Sequence, residues 1–115
     1  MTLSFADLKT KAEQAEREKG QPFIAKDGKE LFLRPLLHLN KAELKNALAL
    51  VDVIQNDDTS FQLRLDAMDQ MLIVAADRKK AMRDSVDNLP AEARMEIFKV
   101  WMEAAEGPEA SDSTS

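Results

Sequence analysis

The chain of 115 residues has no cysteine, three glycines, one histidine and one tryptophan. Without cysteine it can form neither a disulfide framework nor a thiolate metal site. Three glycines are too few for the glycine-rich loops that bind phosphate groups. One imidazole cannot form a histidine-rich metal centre. We therefore expect no cofactor, no metal site and no catalytic residues, and a protein that is not an enzyme.

Long apolar runs are also missing. The longest of them, such as residues 71–76, are far shorter than the ~20 residues needed to cross a bilayer. The first residues lack the basic start and apolar stretch of a signal peptide. The net charge is −5, with 16 basic and 21 acidic residues. Because this balance repels phosphate backbones, we do not expect a nucleic acid as partner. Because the apolar runs are short, we do not expect a membrane either.

The sequence does carry a helical pattern. Apolar residues make up 44% and charged residues 32% of the chain, which indicates a globular protein. Apolar residues recur at helical spacing after the cap-type residues Ser4, Asn40 and Ser60. A further helix begins at Asn88 or Pro90. The predicted helices cover residues 4–19, 41–55, 60–86 and 90–105.

A β-hairpin is predicted between the first two helices, over residues 22–34. There, Asp27-Gly28 separates two short runs of β-forming residues, and Pro35 ends the second run. Asp-Gly favours a tight hairpin turn because both residues tolerate positive φ. A lone hairpin is marginal in water, so this one must pack against a helix or pair with another strand.

These elements together predict one mainly α (α+β) domain over residues 1–106. It has an N-terminal helix, one β-hairpin and three helices packed as a small bundle, since a chain of this length fits one small domain. After Gly107-Pro108 the residues are small, acidic or hydroxylated. That composition predicts a flexible tail over residues 107–115.

The central and last helices carry more large apolar side chains than a small domain readily buries. Apolar residues of the central helix recur at steps of four and three, and its middle is apolar nearly all round. Most of these side chains belong in a core on the simplest interpretation. A surplus would form an exposed patch for a partner, and flexible methionines suit such a surface. The candidate partner-binding residues are Phe61, Met68, Leu72, Met95, Phe98, Trp101 and Met102.

Polar residues that could suggest chemistry have simpler structural interpretations. His38 precedes a helix cap and is interpreted as a surface or hydrogen-bonded histidine. The basic cluster in residues 78–83 lies between Asp77 and Asp84, as on a solvated helix face. Carboxylates elsewhere alternate with lysine and arginine instead of forming a paired acid and base. No serine lies in a nucleophile motif.

Three blocks of sequence, taken in order, resemble one known family. They are Phe5 and Leu8 followed by Leu33-Arg34-Pro35-Leu36 and Leu39-Asn40-Lys41; Ala76-Asp77-Arg78-Lys79-Lys80-Ala81; and Ile97, Phe98, Trp101, Met102, Glu103 and Ala104 followed by Gly107, Glu109, Ala110 and Ser111. In these blocks the chain is similar to tail assembly chaperones of long-tailed actinobacteriophages, of the siphophage type. It departs from them by lacking an asparagine before Pro35 and by a shorter linker near Asp87.

The resemblance implies a non-enzymatic role in building a phage tail. Such chaperones bind the tape-measure protein in the host cytoplasm, keep it soluble, help recruit tail-tube subunits and are absent from the mature virion. An amphipathic helical surface suits this task because it can lie along an apolar helix of the client. Two other classes remain open: a small acidic adaptor or antitoxin-like inhibitor, and a virion connector subunit, which would form stable rings. Self-association is also left open.

Overall fold

The computed structural model describes residues 2–113, and the side chains of residues 2–104. It confirms a mainly α fold with one antiparallel hairpin and a bundle of helices. The flexible tail predicted for residues 107–115 lies outside the described side chains and stays a prediction. The elements are α1 (Phe5–Lys19), β1 (Gln21–Ile24), β2 (Glu30–Leu33), a 3-10 turn (Leu36–His38), α2 (Lys41–Gln55), α3 (Phe61–Ala75), α4 (Lys79–Asp87) and α5 (Ala91–Ser113).

The predicted helix starts are confirmed by their capping hydrogen bonds. The side-chain oxygens of Ser4, Asn40 and Ser60 each accept the backbone N–H three residues later, at 2.8–3.2 Å. In α2 the Glu43 carboxylate also accepts the Asn40 N–H, at 3.2 Å, which completes a capping box. Each cap satisfies a backbone donor that the first helical turn leaves unpaired.

The hairpin forms where the sequence predicts it. Gln21 lies opposite Leu33 and Ile24 lies opposite Glu30 in an antiparallel pair. The turn places Gly28 at φ +80°, a conformation that glycine adopts without steric cost. Local turn chemistry therefore specifies where the chain reverses.

The single long helix predicted over residues 60–86 is wrong, because the chain breaks it into α3 and α4. Residues 76–78 leave the helical path, and Ala76 and Asp77 lie along the outer edge of β2. There the Asp77 N–H donates to the Phe32 carbonyl oxygen at 3.0 Å, and the Asp77 carboxylate accepts the Phe32 N–H at 3.0 Å. These bonds replace helical ones and give the marginal hairpin its support.

The last helix also differs from its predicted bounds. α5 ends at Ser113, whereas the sequence predicts an end near residue 105. Gly107 and Pro108 disfavour a helix, and proline removes one backbone hydrogen bond, but neither residue stops the helix here.

The core lies between the inner face of the hairpin and helices α2 to α5. The central helix α3 packs against α2, α4 and α5, as expected for a helix that is apolar nearly all round. The largest fully buried side chains come from β2, α3, α4 and α5. They are Leu31, Leu33, Met71, Leu72, Met82, Val86 and Trp101.

Candidate partner-binding site

Two of the seven predicted partner-binding residues belong to the core. Leu72 is 0% exposed and Trp101 is 1% exposed, so neither offers a surface to a partner, and for both the prediction is wrong. The reason is that the faces of α3 and α5 that carry them turn inward. Met102 is half-buried and packs against the same core.

Three other predicted residues come together on the surface. They line an open groove of about 500 Å³ between α3 and α5, called here the α3–α5 groove. Met68 from α3 faces Met95 and Phe98 from α5 across it. Its apolar lining is Met68, Met95 and Phe98, and its charged lining is the exposed Glu92, Glu96 and Lys99.

The groove is held in shape by the core beneath it. The Phe98 ring meets the Trp101 ring edge to face, with centroids 5.6 Å apart and an interplanar angle of 71°. The Asp69 carboxylate of α3 lies 3.4 Å from the Arg94 Nε of α5 and links the two helices. Burial raises the pKa of Asp69, and the Arg94 charge counteracts this only in part. The two walls are thus anchored independently of any partner.

The seventh predicted residue, Phe61, lies outside the groove. It is exposed at the start of α3, nearly two turns before Met68. The structure also exposes apolar residues that the prediction omitted, among them Phe5 and Leu8 of α1. Their helical spacing was visible in the sequence, but spacing alone does not show whether a helix face meets a core.

A second cluster, missed from the sequence, surrounds Arg34. Its guanidinium donates to the carbonyl oxygens of Ala75 at 2.9 Å and Val74 at 3.0 Å, and to the Glu43 carboxylate at 2.9 Å. Lys79 Nζ lies 2.8 Å from the same carboxylate. Burial alone would raise the pKa of Glu43, but hydrogen bonds from Arg34 and Lys79 outweigh it and lower the pKa to about 2. This cluster joins β2, α2, α3 and α4.

The basic cluster interpreted as a solvated face is partly engaged in ion pairs. Arg78 forms a salt bridge with Asp27 in the hairpin turn, and Lys79 belongs to the cluster around Arg34. Lys80 and Arg83 are exposed. Two of the four basic residues, Arg78 and Lys79, therefore attach the start of α4 to the hairpin and to α2.

Among the described residues, no three histidines or carboxylates are grouped so as to hold a metal ion. The same part of the chain contains no helix long and apolar enough to span a bilayer. Comparison of the chain with family models, curated proteins and solved structures finds no match.

Proposed function

We propose that this chain is a non-enzymatic tail assembly chaperone of the kind found in long-tailed actinobacteriophages. It binds the tape-measure protein, keeps it soluble and helps recruit tail-tube subunits. The α3–α5 groove is the observation that supports this proposal. An apolar helix of the client fits such a groove between two fixed helices. Unbranched methionine side chains adapt to different client residues along a long helical protein.

The sheet edge supports a helical client over a strand-like one. Phe32 turns its backbone groups toward Asp77, so Pro22 opposite it turns toward the free edge of β1. Proline has no N–H to donate to an added strand. Lys26, four residues after Pro22, faces the same way, and its N–H already donates to the Ser85 hydroxyl at 2.9 Å. The groove is therefore the better docking surface.

The third block of the resemblance contributes side chains both to the groove and to the core beneath it. Within residues 97–104, Phe98 lines the groove and Trp101 anchors it to the core. One short segment thus supplies both the contact surface and its support. We place the action of this protein in the host cytoplasm, before the tail is complete, and not in the mature virion. The proposal includes neither nucleic acid nor membrane.

Met95→Asp is expected to weaken client binding about thirtyfold, because it places a charge in the apolar centre of the contact. The side chain is 40% exposed, so the substitution should leave the fold intact. The measurement is co-expression with the tape-measure protein of the genome that encodes this chain. Wild-type protein should raise the soluble fraction of the client and co-purify with it, and Met95→Asp should do neither.

Leu37→Asp is the matched control, since Leu37 is 84% exposed and lies in the 3-10 turn, outside the groove. It should protect the client as well as the wild type does. Thermal unfolding followed by circular dichroism checks that both variants are folded. Equal protection by the two variants, or a wild-type protein that fails to hold the client, would contradict the proposal.

A further inference from the structure

The first two turns of α1 form a second exposed apolar surface, and lysines flank it. Phe5 is 82% exposed and Leu8 is 50% exposed, and Leu3 just before them is exposed too. Their i, i+3 spacing puts Phe5 and Leu8 on one helix face. At 100° per residue, Lys9 lies beside Phe5 and Lys11 beside Leu8, on opposite sides of the apolar pair. Phe5, Leu8, Lys9 and Lys11 are called here the α1 tip.

The second half of α1 is already engaged within its own chain. Ala15 and Glu16 are half-buried, and the Glu16 carboxylate lies 4.0 Å from Arg34 Nε. Two free turns are too short for a helix-on-helix coiled coil between two α1 copies, because so short a seam is marginal in water. The α1 tip therefore fits a short receptor better than a second α1.

The α3–α5 groove of another copy has the matching properties. Beside its apolar side chains it carries Glu92 and Glu96, about one turn apart on α5, and Lys99. Its net charge of −1 is opposite in sign to the charge of Lys9 and Lys11. We propose that the α1 tip of one copy docks into the α3–α5 groove of a second copy. Docking covers two exposed apolar surfaces at once and places the lysines near the glutamates.

Because this contact joins two different surfaces, two copies can each place a tip in the other's groove. Alternatively, each copy can bind the next one, which builds longer assemblies. It is small, and small interfaces give weak and reversible association. If the proposed function holds, a tape-measure helix and the α1 tip compete for one groove. The self-contact would then protect the groove until a client displaces it.

Sedimentation velocity on the full chain, over a wide range of concentration, tests the contact. Wild-type protein should associate as its concentration rises. The tip variant Phe5→Ser/Leu8→Ser and the groove variant Met95→Asp should each stay monomeric. An equimolar mixture of the two should form a heterodimer, because each variant keeps the surface that the other has lost. Leu37→Ser removes an apolar side chain that is as exposed as Phe5 but lies in the 3-10 turn. This variant should associate like the wild type.

Charge reversal tests the orientation of the contact. Lys9→Glu/Lys11→Glu should weaken association about tenfold at low salt. Adding Glu92→Lys/Glu96→Lys to the same chain should restore it.

The two variants, each measured alone, distinguish this contact from symmetric ones. A contact between two α1 tips would let the groove variant associate by itself, and a contact between two grooves would let the tip variant do so. Either result, or a mixture that stays monomeric, would overturn the inference. So would a wild-type protein that is monomeric at every concentration. Client solubilisation is measured separately, so a monomer that still protects the client overturns the self-contact alone and leaves the proposed function standing.

Discussion

Trp101→Ala is expected to lower the free energy of unfolding by ~3–5 kcal/mol. The ring is almost completely buried, and its Nε1–H donates to the Arg34 carbonyl oxygen at 2.9 Å. Truncation removes the central side chain of the core and leaves that carbonyl oxygen without its donor. A small domain has ~5–15 kcal/mol of stability in all. Chemical denaturation followed by circular dichroism should show a large fall in the unfolding midpoint.

Two companion variants separate packing from hydrogen bonding. Trp101→Phe keeps much of the ring but removes the donor, and should cost about 1–3 kcal/mol. Phe61→Ala removes an exposed aromatic ring and should change the stability by no more than about 0.5 kcal/mol. If Trp101→Ala unfolded like the wild type, Trp101 would not be a core residue. Its assignment to the partner surface would then be correct after all.

Arg34→Met is expected to cost about 3 kcal/mol, near the lower end of the range for breaking a buried ion pair. The side chains of Arg34 and Glu43 are 18% and 16% exposed, so solvent screens the loss only slightly. The substitution also removes one of the two donors to each of the carbonyl oxygens of residues 74 and 75, at the break between α3 and α4. Arg83→Met, an exposed arginine on α4, is the control and should be nearly neutral.

The same cluster makes the stability depend on pH. Because the pKa of Glu43 falls from 4.5 to about 2 on folding, the unfolded chain binds its proton more readily. This stabilisation is present above about pH 4.5 and is lost as the pH falls toward 2, by about 3 kcal/mol at most. Arg34→Met should flatten this loss, as seen in unfolding midpoints measured across that window. An unchanged acid profile would show that Glu43 is not held by Arg34. Asp69 acts in the opposite sense, because burial raises its pKa and the folded state keeps its proton longer.

Local chemistry made much of the fold predictable. The caps at Ser4, Asn40 and Ser60 and the turn at Gly28 depend on residues within a few positions of each other. The break between α3 and α4 was not predictable from spacing, because residues 76 and 77 are held outside the helix by pairing with β2, far away in the sequence.

The candidate site was predictable only in part, for a related reason. Helical spacing identifies apolar faces but not which of them meets a neighbouring helix, so Leu72 and Trp101 were assigned to the surface. Met68, Met95 and Phe98 come together only because α3 packs on α5. The cluster around Arg34 could not be predicted from spacing, since Val74 and Ala75, two of its partners, lie about 40 residues further along the chain.

The most direct test of the α3–α5 groove is a titration of isotope-labelled methionine methyl groups, followed by NMR. The titrant is a helical peptide copied from an apolar stretch of the tape-measure protein. The methyl signals of Met68 and Met95, which line the groove, should shift together as the peptide binds. Those of the buried Met71 and Met82 should stay in place. Binding that leaves the two groove methyl signals unmoved, or no binding at all, would contradict the account.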